Sequence, residues 1–203
     1  MRRTSPLGTR RARNAALACT VILAFSGCKK KELPVPEPEP VQVHPDLICP
    51  ADTVGTGAPP PRGQEVWCQR LLPTGKWLRH GPAIEWHANE QRRATGEYYE
   101  ADKHGPWLFW YATGTPERQG SYTRNVKNGV WTEFHVSGDR KSEGEFVEGQ
   151  EHGMWVFWDE NTRVEGEYVM GEPNGIWLEY TPENIATRER VYRSGRLVSQ
   201  REL

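Results

Sequence analysis

Short stretches of alternating hydrophobic and polar residues fill the chain from about residue 80 onward, and they recur with a fixed period. Each unit opens with a His-Gly or Asn-Gly pair, continues into aromatic residues, and closes with a second glycine followed by another aromatic. The opening glycines are Gly81, Gly105, Gly129, Gly153 and Gly175, separated by 24, 24, 24 and 22 positions. A period of this length is typical of repeat arrays, in which each unit packs mainly on its neighbours.

Two aromatic slots follow each opening glycine. The first slot holds Trp107, Trp131, Trp155 and Trp177. The second slot holds Trp86, Trp110, Phe134, Trp158 and Tyr180. The closing glycines are Gly96, Gly120, Gly144 and Gly166. The end units depart from this pattern, with Ala83 in the first aromatic slot and Arg190 in the last glycine position, as is expected of the terminal units of an array.

Within a unit the residue types predict two antiparallel strands. Residues 107–111 and 153–158 are runs of aromatic and β-branched residues of strand length. Three pairs that tolerate positive φ are predicted to form tight hairpin turns. These pairs are Asn128-Gly129, Gly138-Asp139 and Asn174-Gly175. The prediction is therefore an all-β fold, an elongated meander of about five β-hairpins.

The glycines and the paired aromatics constrain how the strands pack. The glycines are predicted to leave room where backbones cross or aromatic rings stack. Trp107 and Trp110 are three residues apart, so a regular strand would point them to opposite faces. Either both faces carry aromatic rings or a bulge rotates one of them, and the sequence leaves both possibilities open.

The aligned units, for example residues 128–138 followed by 143–149, resemble MORN (membrane occupation and recognition nexus) repeats. They are most similar to the bacterial variant known as YwqK-type antitoxin-like. The similarity covers about residues 78–198, with departures at Ala83 and Arg190 and a two-residue deletion near Asp159. The resemblance implies a β-hairpin array used for protein or lipid association.

Residues 1–27 are predicted to be a lipoprotein signal peptide. Five arginines precede an apolar run, Ala15–Phe25, which is shorter than the roughly 20 residues needed to span a bilayer and fits the core of a secretory signal. The run ends in Ala-Phe-Ser-Gly-Cys28, which resembles a bacterial lipobox with Phe25 where leucine is usual. The resemblance implies lipidation of Cys28, and a simple cleaved signal is the alternative.

Lipidation would fix the location of the protein. Two or three acyl chains anchor a protein stably to a membrane. Position 29 is lysine, which by the sorting rule of enterobacterial lipoproteins implies the outer membrane. Residues 28–47 are rich in proline and glutamate and are predicted to be a disordered, extended linker. We therefore expect a protein of the cell envelope whose repeats are held away from the membrane.

Two cysteines remain for the folded part of the chain. Cys49 and Cys68 form an even pair in an oxidising compartment and are predicted to form a disulfide. Zinc requires four ligands, or three and a water, so two cysteines alone do not indicate a metal site. The disulfide defines an N-terminal cap, residues 48–79, before the repeat domain, residues 80–203.

Charge and motifs exclude several function classes. Removal of the five signal arginines leaves 21 basic against 27 acidic residues, a net charge near −6, which disfavours nucleic acid as a partner. His80, His104 and His152 alternate with asparagine at one position, which indicates a turn requirement. Glu97, Glu145 and Glu167 also share a position, as a solvated face or an acidic binding strip. No catalytic residue, cofactor or metal is predicted.

Two binding functions follow. The first is a non-enzymatic scaffold that recruits another envelope protein. The alternative is a peptidoglycan or polysaccharide module that uses an exposed aromatic ladder. The candidate binding aromatics are Trp86, Trp107, Trp110, Trp131, Trp155, Trp158, Trp177 and Tyr180. A third interpretation makes the tryptophans the core, because hydrophobic residues are only 36% of the chain and nine tryptophans must compensate.

Overall fold

A computed structural model describes residues 43–203 of the chain. The predicted signal peptide, the predicted lipidation of Cys28 and the linker up to residue 42 lie outside the described residues. The described part is one antiparallel sheet of 13 strands, and it contains no helix. None of these residues therefore forms an apolar helix long enough to cross a membrane. The predicted all-β meander is confirmed.

Each strand pairs with its neighbours in sequence, so the order across the sheet is β1 to β13. The strands are β1 Val54–Ala58, β2 Glu65–Leu71, β3 Trp77–Trp86, β4 Arg92–Tyr99, β5 Asp102–Trp110, β6 Pro116–Thr123, β7 Val126–Phe134, β8 Arg140–Val147, β9 Gln150–Asp159, β10 Thr162–Val169, β11 Glu172–Tyr180, β12 Ala186–Arg193 and β13 Arg196–Glu202. The five repeat units are the hairpins β3–β4 to β11–β12. Thirteen strands about 4.8 Å apart make the sheet about 58 Å wide, against about 34 Å for its longest strands.

The units are joined by two-residue turns in which both residues have positive φ. These turns are Glu100-Ala101, Arg124-Asn125, Glu148-Gly149, Met170-Gly171 and Ser194-Gly195. Two positive φ values define a type I′ turn, whose twist matches that of paired strands. Gly138-Asp139 lies between β7 and β8, as predicted, but in a five-residue loop and not in a tight turn. The prediction for Asn128-Gly129 and Asn174-Gly175 is wrong, because they lie inside β7 and β11.

The opening glycines form a bulge within a strand. Thr95 pairs with Leu108 and Glu97 pairs with His104, so Gly96 faces three residues of β5. Gly105, the first of the three, has a φ of 67°, which glycine adopts without strain. The same shift recurs between β6 and β7, β8 and β9, and β10 and β11. The His or Asn before each opening glycine thus precedes a bulge, and the predicted turn requirement is wrong.

The bulge seats the first-slot tryptophan on the closing glycine of the preceding unit. The indole of Trp107 lies on Gly96, where a Cβ would overlap the ring. Its Nε1 donates a hydrogen bond to the Glu97 carbonyl oxygen at 3.1 Å. Trp131, Trp155 and Trp177 repeat both contacts on Gly120, Gly144 and Gly166. The predicted role of the glycines as space for stacked rings is confirmed.

The rings of one face of the sheet form the core, which we call the aromatic face. Trp107 stacks on Phe109 with ring centroids 5.8 Å apart and meets Tyr98 edge to face at 5.2 Å. Strand alternation places Leu108 and Trp110 on the opposite face. The register irregularity beside Trp110 lies in the partner strand β6, where Phe109 pairs with Arg118 and Trp110 with Pro116. Both faces therefore carry aromatic rings.

The cap continues the same sheet. The Cys49–Cys68 disulfide is present, as predicted. Trp67 on β2 pairs with Ala83 on β3, and the Arg79 guanidinium lies 4.3 Å from the Trp67 ring centroid. An indole from β2 thus faces the strand that lacks its own first-slot tryptophan. At the other end Arg190 pairs with Gln200 of β13, a strand exposed along its whole length.

Candidate binding surface

The structure divides the eight candidate binding aromatics into two groups. Five are buried, with exposed fractions between 0 and 7%: Trp86, Trp107, Trp131, Trp155 and Trp177. Three are partly exposed: Trp110, Trp158 and Tyr180. A ring that lies on backbone and donates its N–H to a carbonyl offers no free face to a sugar. The idea of an exposed ladder of all eight aromatics is therefore corrected, and most of the ladder is core.

Cationic side chains cover the aromatic face. Lys103 Nζ lies 4.4 Å from the Trp107 centroid, and Lys127 Nζ lies 4.5 Å from the Trp131 centroid. Burial among the rings lowers the pKa of both lysines below 10.5. Burial likewise raises the pKa of the Tyr122 hydroxyl above 10.0. Since ammonium groups lie on the rings at cation–π distance, this part of the face has little aromatic surface left for a ligand.

The opposite face, which we call the open face, exposes apolar side chains. Val130, Met154 and Ile176 each directly precede a first-slot tryptophan, and they are 63, 61 and 57% exposed. Leu108 lies on the same face and is 41% exposed. Isolated exposed hydrophobic residues are common, whereas these residues are aligned on one face, a pattern typical of interaction surfaces. We call Val130, Met154 and Ile176 the apolar row. Sequence reasoning missed it, although the three residues occupy one repeat position and strand alternation places them on the face opposite the tryptophans.

A row of carboxylates lies beside the apolar row. Glu97, Glu145 and Glu167 are exposed on the open face, and none of them makes an ion pair within residues 43–203. Residues at one repeat position lie two strands apart, about 9.6 Å. The open face therefore presents apolar and acidic rows side by side, and Ser121 interrupts the acidic row between Glu97 and Glu145.

The first unit of the open face is covered by the chain itself. Val43, Leu47 and Cys49 pack on a buried cluster that includes Ile84 and Trp86, and the disulfide ties this segment to β2. Ile84 and Leu108 occupy the same repeat position in the first and second units. Ile84, under the covering segment, is 5% exposed, whereas Leu108 is 41% exposed. Residues 43–49, which include a turn at Pro45-Asp46, thus show that a polypeptide segment can cover this face.

A stack of loops forms one edge of the sheet. The five-residue loops 87–91, 111–115 and 135–139 each donate a side-chain hydrogen bond to the second-slot residue of the next unit. His87 Nε2 donates to the Trp110 carbonyl oxygen at 2.7 Å. The Tyr111 hydroxyl donates to the Phe134 carbonyl oxygen at 2.8 Å, and His135 Nε2 donates to the Trp158 carbonyl oxygen at 3.0 Å. The stack ends at the fourth unit, where the deletion near Asp159 falls.

The histidines and acids do not assemble a reactive site. No group of three metal-ligating side chains occurs within residues 43–203. His104 pairs with Glu97 and His152 with Glu145 across the bulges. The Nδ1 atom of His152 is buried without a hydrogen-bond partner in the described part of the chain. The hydroxyl–carboxylate contacts Thr132–Glu143 and Ser137–Asp139 occur at 3.3 and 3.0 Å, respectively.

Comparisons with known proteins add no identity. No family model matches the chain, and no curated protein matches it. The fold and its surfaces define an all-β repeat protein with one closed aromatic face and one open face.

Proposed function

We propose that this protein is a non-catalytic docking protein whose open face binds an extended, basic segment of another protein of the cell envelope. The observation that carries the proposal is the exposure of Val130, Met154 and Ile176 on a face whose first unit is already covered by residues 43–49 of the same chain. The remaining units offer the same kind of surface without that cover.

Charge and spacing describe the partner. The carboxylate row formed by Glu97, Glu145 and Glu167 favours a segment with lysine or arginine beside its apolar side chains. Neighbouring members of the apolar row, and Glu145 and Glu167, are about 9.6 Å apart, whereas Glu97 lies about 19.2 Å from Glu145 because Ser121 occupies the repeat position between them. A polyproline II segment repeats every three residues, or about 9.3 Å. An extended segment with one apolar and one basic residue in every three therefore matches the spacing of the apolar row and of Glu145 and Glu167, and one of its basic residues faces Ser121.

The proposal includes the location. The MORN resemblance of the units and the lipobox resemblance at Cys28 support a lipid-anchored protein of the outer membrane. An antitoxin role does not fit that location, since an envelope protein cannot reach a cytoplasmic toxin. Direct contact of the repeats with lipid is disfavoured by the acidic open face, because anionic headgroups attract basic surfaces.

A synthetic peptide tests the docking surface. We expect the full-length protein to bind a fluorescent peptide of repeated Val-Lys-Pro, and to bind matched Ser-Lys-Pro and Val-Glu-Pro peptides at least about tenfold more weakly, a difference of about 1.4 kcal/mol. Fluorescence anisotropy measures the affinities. The triple variant Val130→Ser, Met154→Ser, Ile176→Ser should lose the preference for valine.

The control removes equally exposed apolar residues from other surfaces. Val136, Ile185 and Leu197 are 58, 61 and 50% exposed and lie in loops or in β13. Their serine variants should bind the Val-Lys-Pro peptide like the wild type. Equal affinity for all three peptides, or an equal loss in both triple variants, would refute docking on the open face.

A further inference from the structure

The fourth unit has a notch in the loop edge of the sheet. The flanking loops, 135–139 and 181–185, share one conformation: the first residue bonds through its backbone to the fifth, and the fourth bonds back to the first. The fourth unit replaces this loop by the tight turn Glu160-Asn161 between β9 and β10. The two-residue deletion therefore leaves a short turn between two five-residue loops, and we call the resulting gap the notch.

Trp158 lies at the base of this notch. A cleft of about 660 Å³ lies on one side, between Trp158 and loop 135–139. A second cleft of about 360 Å³ lies on the other side, between Trp158 and loop 181–185. The indole is partly exposed, while its backbone carbonyl is held by His135. The Trp158 backbone is thus held by loop 135–139, and the residue lines both clefts.

Polar groups surround the ring. The Arg140 guanidinium lies 6.0 Å from the Trp158 centroid. Asp139, Asp159 and Glu160 line the larger cleft with it. Carboxylates accept hydrogen bonds and a guanidinium donates them, so together they can bind vicinal hydroxyl groups. Apolar surface with a few convergent polar groups is the usual composition of a small-molecule site.

We propose that the Trp158 cleft binds a neutral pyranose unit of a glycan, with the C–H face of the sugar on the indole and its hydroxyls on the surrounding carboxylates and Arg140. The aromatic ring supplies a rigid apolar surface. Three carboxylates against one guanidinium disfavour an acidic sugar.

The site is separate from the docking surface of the proposed function. It depends on a missing loop and on Trp158, whereas docking depends on Val130, Met154 and Ile176. Two units earlier, the equivalent Trp110 lies beside the intact loop 111–115, and His87 bonds to its carbonyl. Trp110 therefore provides a matched control at the same repeat position.

Calorimetry with defined sugars tests the site. We expect the full-length protein to bind N-acetylchitotriose or cellotriose. Trp158→Ala should weaken this binding at least about tenfold, because it removes the main apolar contact, and Trp158→Phe should retain part of it. Trp110→Ala should bind like the wild type. The triple serine variant of the open face should also bind the sugar, which separates this test from the test of docking.

A loop replacement tests the notch without touching the tryptophan. Residues 159–161 are exchanged for the sequence of 135–139, which restores the 24-residue period and should abolish sugar binding. Absence of binding to both trisaccharides overturns the proposal. So does an equal affinity in Trp158→Ala and wild type, or binding of choline chloride alone, which would indicate a cation site.

Discussion

Gly144 and Trp155 are 11 positions apart in sequence and in contact in the fold. The indole requires a residue without a Cβ at position 144. The indole lies directly on the glycine backbone, where any Cβ would overlap the ring. Its Nε1 donates to the carbonyl oxygen of Glu145, the next residue, at 3.2 Å. The bulge at Gly153 brings the tryptophan to this position. Each unit is thereby joined to its predecessor through one glycine and one tryptophan.

Gly144→Ala should destabilise the sheet by about 1–3 kcal/mol, because the added methyl group overpacks the seat of the indole. Urea denaturation followed by far-UV circular dichroism measures the change. Trp155→Leu alone should also destabilise, through the cavity that it leaves. The double variant should be more stable than the sum of both changes predicts, since leucine vacates the space that the methyl group needs.

A control separates crowding from backbone strain. Gly129 has a φ of 76° and open space around its Cα, so Gly129→Ala should lose only the conformational term, about 1–2 kcal/mol. Exact additivity of the Gly144 and Trp155 variants would contradict direct contact as the reason for the glycine.

Loss of the Cys49–Cys68 disulfide should destabilise the cap. The two residues are 19 positions apart, and a cross-link over a loop of that length stabilises by about 3 kcal/mol in the chain-entropy model. The double alanine variant should also release residues 43–49 from Ile84 and Trp86, and acrylamide should then quench more of the tryptophan fluorescence. An unchanged denaturation midpoint and unchanged quenching would contradict this role.

Stability should increase as the pH rises toward 10.5, through Lys103 and Lys127. Burial lowers the pKa of both lysines below 10.5, so in this range the unfolded chain binds more protons than the folded protein, and raising the pH favours folding. Above pH 10.0 an opposite effect begins, because burial raises the pKa of Tyr98, Tyr122 and Tyr168 and the unfolded chain then ionises first.

Urea midpoints between pH 7 and 10 measure the lysine effect. The double variant Lys103→Met, Lys127→Met keeps the apolar stems on the rings and removes the charges, so its midpoint should lack the rise. Each single variant should lose part of it. The same slope in the double variant and the wild type would refute the assignment to these lysines.

Tyr111→Phe should weaken the loop stack by about 0.5–1.5 kcal/mol, because it leaves the Phe134 carbonyl without its hydrogen bond from the Tyr111 hydroxyl. Thermal denaturation followed by circular dichroism measures this change. Tyr99 is 48% exposed, and its hydroxyl makes no hydrogen bond in the described part of the chain, so Tyr99→Phe should be neutral. Equal effects of the two variants would contradict a specific role for the stack.

Cys28→Ala should abolish lipid attachment, as the lipobox resemblance predicts. Cells that express the wild type with labelled palmitate should yield labelled protein in the membrane fraction, since two or three acyl chains hold a protein stably there. The variant should be unlabelled. Cys49→Ala is the matched control and should be labelled like the wild type. Label retained in Cys28→Ala would remove the support for a lipid anchor.

The repeat pattern determined most of the fold. The fixed spacing of Gly96 and Trp107, and of their counterparts, predicted the hairpin units, the all-β meander and the use of glycine as space for rings. These are local or next-neighbour features, so the sequence period carries them directly. The Cys49–Cys68 pairing also followed from the sequence, because only two cysteines remained for the cap.

Tertiary structure decided where the period places each residue. Asn128-Gly129 has the composition of a hairpin turn, yet it lies in a bulge, because Glu148-Gly149 and its equivalents already close the turns between units. Trp155 and Trp158 are the same residue type on the same strand, yet Trp155 is buried on Gly144 in the aromatic face and Trp158 is partly exposed beside the shortened loop. Only the tertiary structure shows that the segment around Leu47 covers the open face at Ile84. It also shows that the short turn at Glu160 leaves Trp158 accessible. A sequence period specifies which contacts repeat, whereas exposure depends on what packs against each unit from elsewhere in the chain.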